Sequence, residues 1–403
     1  MPFRGESSLT IDKSAPLIIV GAGIAGLSAA LCLAHFGFSV EIYERAATLQ
    51  EAGAGLQLSP NAMRVLGRLG LADDLVRKAV VADKVTLRSA RSGRPIATVP
   101  VGAGDGTTYL SIHRADLQAA LLLAAWSRPG IELHLGYDLV RVRQEGARTI
   151  LVFRHEGEEK EVRAALVIAA DGVRSKIASE VGFAPPQAAR STAWRMTLET
   201  ERLEATDRPI AGVEAWLGSG RHAVIYPIRQ GSEINIVLIV PSESSGDGTP
   251  GTVSAARLQR EFRAWDPRLA RIISKGERAS AWPMHTVDPH RPWSKGSGIV
   301  LVGDAAHAML PYAAQGAAMA IEDAWVLAYA LARAEGAGTA IELYQAMRQP
   351  RVERVRSRVR FHDTVYHLQF PLSLGRDAVL GLRSPDSLRR DLAWLYGWTP
   401  PVA

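Results

Sequence analysis

The sequence predicts an α/β protein in which a parallel nucleotide-binding sheet is interrupted by an inserted, mostly antiparallel β domain and closed by C-terminal helices. Three observations carry this. Residues 17–44 form a strand, a glycine-rich turn, a helical pattern and a second strand; strand-like segments joined by Gly-containing turns fill 189–284; and a parallel-type apolar run returns at Ile299-Val300-Leu301-Val302 before a long helix.

Length and composition set the frame. With 403 residues and 47% hydrophobic side chains, the chain exceeds one ordinary compact domain and can bury a large core, so two domains or one domain with a large insertion are expected. No apolar run reaches the roughly 18–20 residues needed to cross a bilayer, which predicts a soluble protein with no membrane partner. Residues 1–16 carry charges without an apolar block and read as a loose tail rather than a secretory signal, giving a cytoplasmic expectation. The single Cys32 lies in an Ala/Leu stretch and reads as a small buried hydrophobe. The net charge of +6 admits nucleic acid, anionic lipid or an anionic small substrate. The densest basic run, 348–360, holds six arginines, yet Val352, Val355 and Val359 fall at helical spacing through it. That pattern predicts a helix with one buried stripe and a solvated arginine face, not a nucleic-acid surface. No H-E-x-x-H or paired-ligand spacing indicates a metal, and no G-x-S-x-G marks a hydrolase elbow.

The elements follow in order. After the strand 17–20, Gly21-Ala22-Gly23-Ile24-Ala25-Gly26 fits G-x-G-x-x-G and opens a helix. Gly21 permits the tight turn, Gly23 lets backbone approach a pyrophosphate, and Gly26 allows helix and strand to pack closely, so the sheet is Rossmann-type. The helix N-terminus turns unpaired N–H groups toward phosphates. Glu44 ends the second strand eighteen residues after Gly26, where a carboxylate can accept from an adenosine ribose hydroxyl. This fingerprint serves NAD- and FAD-linked enzymes alike. A second helix starts at Ser59-Pro60-Asn61, strands lie at 84–88 and 96–99, a helix runs over 114–126, and alternating strands fill 132–168. The segments 211–217, 222–228 and 234–240 form the antiparallel insert, and a helix spans 317–334. The expected division is a tail at 1–16, a nucleotide-binding domain from 17–75, 105–188 and 285–345, a substrate domain from 76–104 and 189–284, and C-terminal helices over 346–403.

Three further motifs arrive in sequence: His113-Arg114-Ala115-Asp116-Leu117 opening a helix, Asp171-Gly172-Val173-Arg174-Ser175 after an apolar strand, and Gly303-Asp304-Ala305-Ala306-His307 after the last one. With residues 21–26 they resemble the class A flavoprotein aromatic hydroxylases, the superfamily of para-hydroxybenzoate hydroxylase, across nearly the whole chain after the tail. The closing Asp391-Leu392-Ala393-Trp394-Leu395-Tyr396-Gly397-Trp398 is similar to the end of salicylate hydroxylase-type members.

The resemblance implies FAD as cofactor and NADH or NADPH as co-substrate. It implies that Asp304, beside Gly303, holds the ribityl chain, that Arg114 contacts the flavin, and that the pair Asp171-Gly172 serves cofactor and nicotinamide binding. Arg45 is assigned to the adenosine end and Leu139 to the adenine. A carboxylate just past a buried strand sits where open α/β sheets bind ligands, though either aspartate could instead cap the next helix. Pro311-Tyr312-Ala313-Ala314-Gln315-Gly316-Ala317 precedes a long helix whose N-terminus, by the family's pattern, lies beside the flavin pyrimidine. Its positive potential suits the charge that gathers on reduced flavin, and Gly316 allows close approach.

On the substrate side, His222 and Tyr226 are four apart on one strand and so share a face. The resemblance to 3-hydroxybenzoate 6-hydroxylase and 6-hydroxynicotinate 3-monooxygenase implies that this pair reaches substrate, and a histidine near neutral pH can ionise a ring hydroxyl. The plain alternative is a histidine hydrogen-bonded at a sheet edge. Gln57 stands where some relatives place a histidine; it orients a ligand but accepts no proton, so any base falls to His222. Pro311 replaces the glutamine of 3-hydroxybenzoate 6-hydroxylase, and His307 reads as structural. The activity implied is a monooxygenase that uses NAD(P)H and O2, through a flavin C4a-hydroperoxide, to hydroxylate a small phenolic or hydroxypyridine acid, with decarboxylation as an added outcome. A homodimer is entertained as the assembly. The rivals are an FAD reductase or dehydrogenase without oxygen insertion and a non-catalytic flavoprotein-like binding module.

Overall fold

The computed structural model describes residues 15–49, 54–209, 212–242 and 251–402, so most of the expected tail, Gly53 and Ala211 lie outside the described residues. Its first sheet has six strands in the order Ser294–Lys295, Ile299–Leu301, Val167–Ala169, Leu17–Val20, Val40–Glu44 and Ile131–Leu135, all parallel except the short edge strand Ser294–Lys295. The central strands are continuous apolar runs because helices cover both faces, as parallel sheets require. The helix Ile24–His35 packs against Gly316–Arg333 on one side of this core, with Cys32 fully buried among its apolar neighbours.

The second large sheet has eight strands in the order Gly251–Ser254, Arg278–Thr286, Gln187–Glu199, Glu233–Pro241, Arg221–Ile228, Val213–Gly218, Lys84–Ser89 and Pro95–Pro100. All its pairings are antiparallel except that of Val213–Gly218 with Lys84–Ser89. The segments 84–89 and 95–100 thus join the same sheet as 187–286 although 86 residues separate Pro100 from Gln187. A meander of Asp138–Glu145, Arg148–His155 and Glu158–Ala164 extends one end of the molecule, and Gly55–Leu58, Leu110–His113 and Val80–Val81 make a small antiparallel sheet between the two large ones.

Register gives the eight-stranded sheet two unlike faces. Directly paired residues point the same way, and Ala193 pairs with Ile239 and Ile239 with His222; Arg195 with Val237 and Val237 with Val224; Thr197 with Asn235 and Asn235 with Tyr226. Arg195, Thr197, His222, Tyr226 and Asn235 therefore lie on one face. The other face, with Trp194, Met196, Ala223, Ile225, Ile236 and Leu238, packs under the helices Ala255–Phe262 and Pro267–Ser274 as a separate core. Burying each large apolar side chain there contributes about 1.5–3 kcal/mol.

The basic helix departs from expectation. Ala337–Tyr366 buries Val352, Val355 and Val359 as the spacing predicts, but Arg348 is completely buried and Arg356 nearly so. The arginine face is not wholly solvated, because the neighbouring helix offers Glu322 and Asp323, both buried, as partners: Arg348 Nε donates to Asp323 at 2.7 Å and its Nη1 to Glu322, while Arg351 Nε donates to Glu322 at 2.6 Å.

Candidate active site

Three motif loops meet at the carboxyl edge of the parallel sheet. Gly21 takes φ +105°, and a Cβ there would stand 2.5 Å from the Ala170 carbonyl oxygen; one at Gly26 would stand 1.8 Å from the Gly21 carbonyl oxygen. These two glycines answer to the fold itself. Gly23 is different: its φ is −74° and a Cβ would meet no protein atom within 4 Å outside its own turn, so the loop leaves open space there, room that a pyrophosphate could enter. Gly303, at φ +59°, is clamped between Ala25 and Ala320, which brings the last motif against the first.

Glu44 has one oxygen on the Ala22 amide at 2.8 Å and the other on the Ala46 amide at 2.9 Å. It therefore braces the glycine loop, and its remaining lone pairs are what a ribose hydroxyl could reach. Arg45 beside it is exposed, whereas Leu139 is buried in the main core. Asp304 is exposed although Gly303, Ala305 and Ala306 around it are buried, a carboxylate held at the sheet edge with its oxygens turned out of the core. Asp171 does what a cap does, accepting from the Ile177 amide at 3.1 Å, but its Oδ1 is buried without a hydrogen-bond partner and burial raises its pKa. Gly172 follows at φ +80°. Arg114 is exposed at the start of the helix Arg114–Trp126, whose N-terminal amide on Ala115 is capped by His113 Nδ1 at 3.2 Å.

The fourth loop runs from Pro311 to the helix Gly316–Arg333. Pro311 and Gly316 are exposed, Ala317 is half-buried, and a Cβ at Gly316 would meet no protein atom within 4 Å. The chain thus presents a bare helix N-terminus to open space, the cradle a planar anionic ring would occupy. Gln315 anchors the turn: Asn61 donates to its Oε1 at 3.2 Å, and its Nε2 donates to Ser59 at 3.0 Å. Asn61 also donates to Glu322 at 2.7 Å. Asp323 takes the Gly303 amide at 2.9 Å and His307 Nε2 at 2.5 Å. One acidic pair thereby ties the Gly303 and Gly316 loops to Arg348. His307 is structural in this arrangement.

The residues present fit a flavin dinucleotide: open glycines at 23 and 316, an outward carboxylate at 304 and an unpartnered buried oxygen at 171 lie on loops of one sheet edge. The fourth loop also meets the polar face of the antiparallel sheet. The Tyr312 ring lies 5.1 Å from that of His222, and its hydroxyl donates to Ser191 at 3.2 Å.

On that face His222 and Tyr226 are both buried, in an interior strand rather than at a sheet edge. Gln57 faces the same region: its Oε1 accepts from the Tyr109 hydroxyl at 2.6 Å, and Tyr109 and Tyr226 share one apolar cluster. Gly55 fits because a Cβ there would stand 2.7 Å from the Tyr226 ring, and its amide donates to Asn235 at 2.7 Å. Burial drives the His222 pKa well below its usual value, helped by His367 and His362, and raises that of Tyr226.

Sequence reasoning missed several members. Arg195 sits on the polar face, its Nε buried without a hydrogen-bond partner; burial lowers its pKa, Tyr226 opposing and Arg114 adding to the shift. The signal was available, since Trp194-Arg195-Met196 places a lone charge in an apolar strand. Tyr109, Asn235, His367 and Asp363 reach the site only through pairing or packing across long stretches of chain.

The FAD binding domain family model matches residues 14–359. The chain is 35% identical over 405 residues to a 3-amino-4-hydroxybenzoate 2-monooxygenase of Streptomyces platensis, covering 96% of this chain and 97% of that protein. It is 33% identical over 387 residues to 3-hydroxybenzoate 6-hydroxylase 1 of Aquipseudomonas alcaligenes, covering 94% and 97%. In fold it is similar to the crystal structure of Klebsiella pneumoniae HpxO complexed with FAD and uric acid, with a TM-score of 0.83, 22% identity, and 96% and 98% of the two chains covered.

Proposed function

The chain belongs to the FAD binding domain family of flavoprotein hydroxylases, and from that premise we propose that it is an NAD(P)H-dependent monooxygenase hydroxylating a small aromatic acid that carries a ring hydroxyl. One observation carries the reading furthest. The bare N-terminus of Gly316–Arg333 is joined through Tyr312 to a sheet face bearing His222, Tyr226 and an arginine whose Nε is buried without a partner, which supports reading cofactor edge and substrate face as two walls of one site.

Bound FAD would take hydride from NAD(P)H and activate O2 for transfer of one oxygen atom to the ring. The chain's own residues do the rest. Gly23, Glu44 and Arg45 hold the adenosine diphosphate end with Leu139 near the adenine, Asp304 the ribityl chain, and Arg114, Gly316 and Ala317 the flavin ring. Asp171 offers its free Oδ1 to cofactor or nicotinamide. Arg195 pairs with the substrate carboxylate, because a guanidinium whose Nε is buried without a partner, with no ion pair among the described residues, gains from an anion that brings its own charge. Tyr226 and Gln57 orient the ring. Pro311, with no N–H and no titratable group, shapes the loop and moves no proton. His222 takes the proton of the ring hydroxyl, which makes the ring a better nucleophile. NAD(P)H as co-substrate implies a cytoplasmic setting.

The test is a screen of hydroxybenzoates, aminohydroxybenzoates and hydroxynicotinates for stimulated NAD(P)H oxidation, with O2, peroxide and product measured together. A yellow protein that couples NAD(P)H to a hydroxylated acid is expected. Peroxide equal to NAD(P)H with every acid points to a reductase, and colourless protein that takes up no FAD overturns the reading.

A further inference from the structure

His222 is the first member of a chain. Its Nδ1 lies 2.8 Å from Nε2 of His367, and His367 Nδ1 lies 2.9 Å from Oδ1 of Asp363. Exposure rises along it: His222 is buried, the His367 side chain is 16% exposed and that of Asp363 48%. The three groups bond to one another in line, so their lone pairs are engaged with each other rather than turned on a common centre. Asp363 and His367 belong to the end of Ala337–Tyr366, where His367 is the C-cap.

The line of bonds dictates the tautomers. An ionised carboxylate only accepts, so His367 must carry its proton on Nδ1. With the ring neutral, Nε2 of His367 is then an acceptor, and the proton between the imidazoles belongs to Nδ1 of His222. His222 Nε2 is left with a bare lone pair, the state a general base requires. Burial keeps both imidazoles neutral, lowering the pKa of His222 and of His367, although Asp363 opposes the shift at His367.

The same burial creates a difficulty that the chain resolves. A lone buried imidazole that took a proton would become a cation out of water. The groups packed around it do not neutralise it. The rings of Tyr312 and Tyr366 lie 5.1 and 5.5 Å away, and His362, held near pKa 4 by burial and the charge of Arg358, donates its Nδ1 proton to the Tyr312 carbonyl at 2.7 Å. Asp363, through His367, is the acid in contact.

We propose that His222, His367 and Asp363 form a proton relay that sets the tautomer of His222 and carries the proton of the substrate hydroxyl from the buried site to solvent. The inference rests on the reading of His222 as base. As the substrate O–H bond breaks, N–H forms at His222 Nε2. The His222 Nδ1–H bond then breaks as N–H forms at His367 Nε2, and the proton on His367 Nδ1 passes to Asp363 and exchanges with water. One proton leaves and no electrons are transferred. Run backwards, the relay returns a proton to the product oxygen and restores both tautomers. The helix C-terminus at His367 favours the transient positive charge there. His367 and Asp363 touch neither substrate nor flavin, so they are positioning residues.

Nitrogen-15 NMR of the histidine rings in the FAD-bound protein tests the relay without turnover. The parent should show His222 protonated on Nδ1 at neutral pH, and His367→Phe should release it to mixed tautomers. With the acid found active in the screen, His367→Phe should form product about 10²-fold more slowly at neutral pH and release more peroxide per NAD(P)H. Activity should recover as pH rises toward the phenol's own range, about 10. Asp363→Asn, on an exposed side chain, should show a smaller loss of the same kind and covers the case in which His367→Phe fails to fold. An unchanged His222 tautomer in both variants overturns the relay. Slow product in His222→Asn alone, with His367→Phe and Asp363→Asn at parent rate, overturns the relay and leaves the base standing, whereas His222→Asn at parent rate removes both.

Discussion

Two buried polar clusters of similar composition stand on either side of the Tyr312 loop. Beneath Gly316–Arg333, Arg348 lies between Glu322 and Asp323, His307 and the Gly303 amide complete Asp323, and Asn61 and Arg351 complete Glu322. On the antiparallel sheet, Arg195 keeps an unpartnered Nε and His222 is bonded through one ring nitrogen to another imidazole. Burial of polar groups costs alike in both places. The charged groups of the first cluster recover that cost from their own chain, although Asn61 Oδ1 is left without a partner, and they tie the Gly303 and Gly316 loops to one helix pair. In the second, Arg195 Nε finds no partner within the chain. The charges of the first cluster are answered within the chain, whereas the second leaves one guanidinium nitrogen unanswered on the face that meets the Tyr312 loop.

The largest break in this contrast should come from the satisfied cluster. Arg348→Met leaves Glu322 with Arg351 alone and Asp323 with no guanidinium, so chemical denaturation should show a loss of about 3–5 kcal/mol. Parent stability in this variant would mean that Arg351 and His307 suffice, and the cluster would not be the lock described.

Substitutions at the ligand-facing groups should behave in the opposite way, sparing the fold and costing affinity. Asp304→Ala should weaken FAD binding about ten- to a hundredfold, the worth of a hydrogen bond to a charged group at about 1.5–3 kcal/mol, with the melting curve of the flavin-free protein unchanged. Arg195→Gln should raise KM for the aromatic acid by a similar factor and leave FAD affinity at the parent value. Equal KM in parent and variant would move the carboxylate away from this sheet.

The smallest effect sharpens the contrast through pH. His222, His367 and His362 have folded pKa values below that of a free histidine, His362 near 4. The unfolded chain therefore binds protons below about pH 6.5 that the folded chain refuses, and stability falls as pH falls through the window from about 6.5 to 4. Each such histidine contributes a slope of up to about 1.4 kcal/mol per pH unit. His362→Gln should flatten the curve of unfolding free energy against pH over that window, and an unaltered slope would show that His362 does not resist protonation in the fold.

What could be read without coordinates was whatever local pattern controls. The glycine loop, Glu44, the helix 114–126 and the alternation of the insert are short-range, because strand period, helix period and positive-φ glycines are properties of neighbouring residues. The shared face of His222 and Tyr226 follows from strand period alone. The motifs at 171 and 303 converge because each follows a strand of one parallel sheet, and ligands gather at that edge, whereas Arg114 follows Leu110–His113 of the small antiparallel sheet.

The rest was decided by register and by contacts between distant segments. Arg195 joins His222 only when residues 187–199 and 221–228 pair through 233–241, since one residue of slip would turn every side chain to the other face. The arginines of 348–360 share one helix, and their burial depends on where Glu322 and Asp323 lie. His367 and Asp363 carry no motif; they meet His222 across 145 and 141 residues of chain because a helix end docks on a sheet face. The sequence by itself determined the elements, the cofactor edge and the face on which chemistry sits, since these depend on local periodicity. Only the tertiary structure decided which buried charges are answered within the chain and which are not, since hydrogen-bond satisfaction is a property of the assembled neighbourhood.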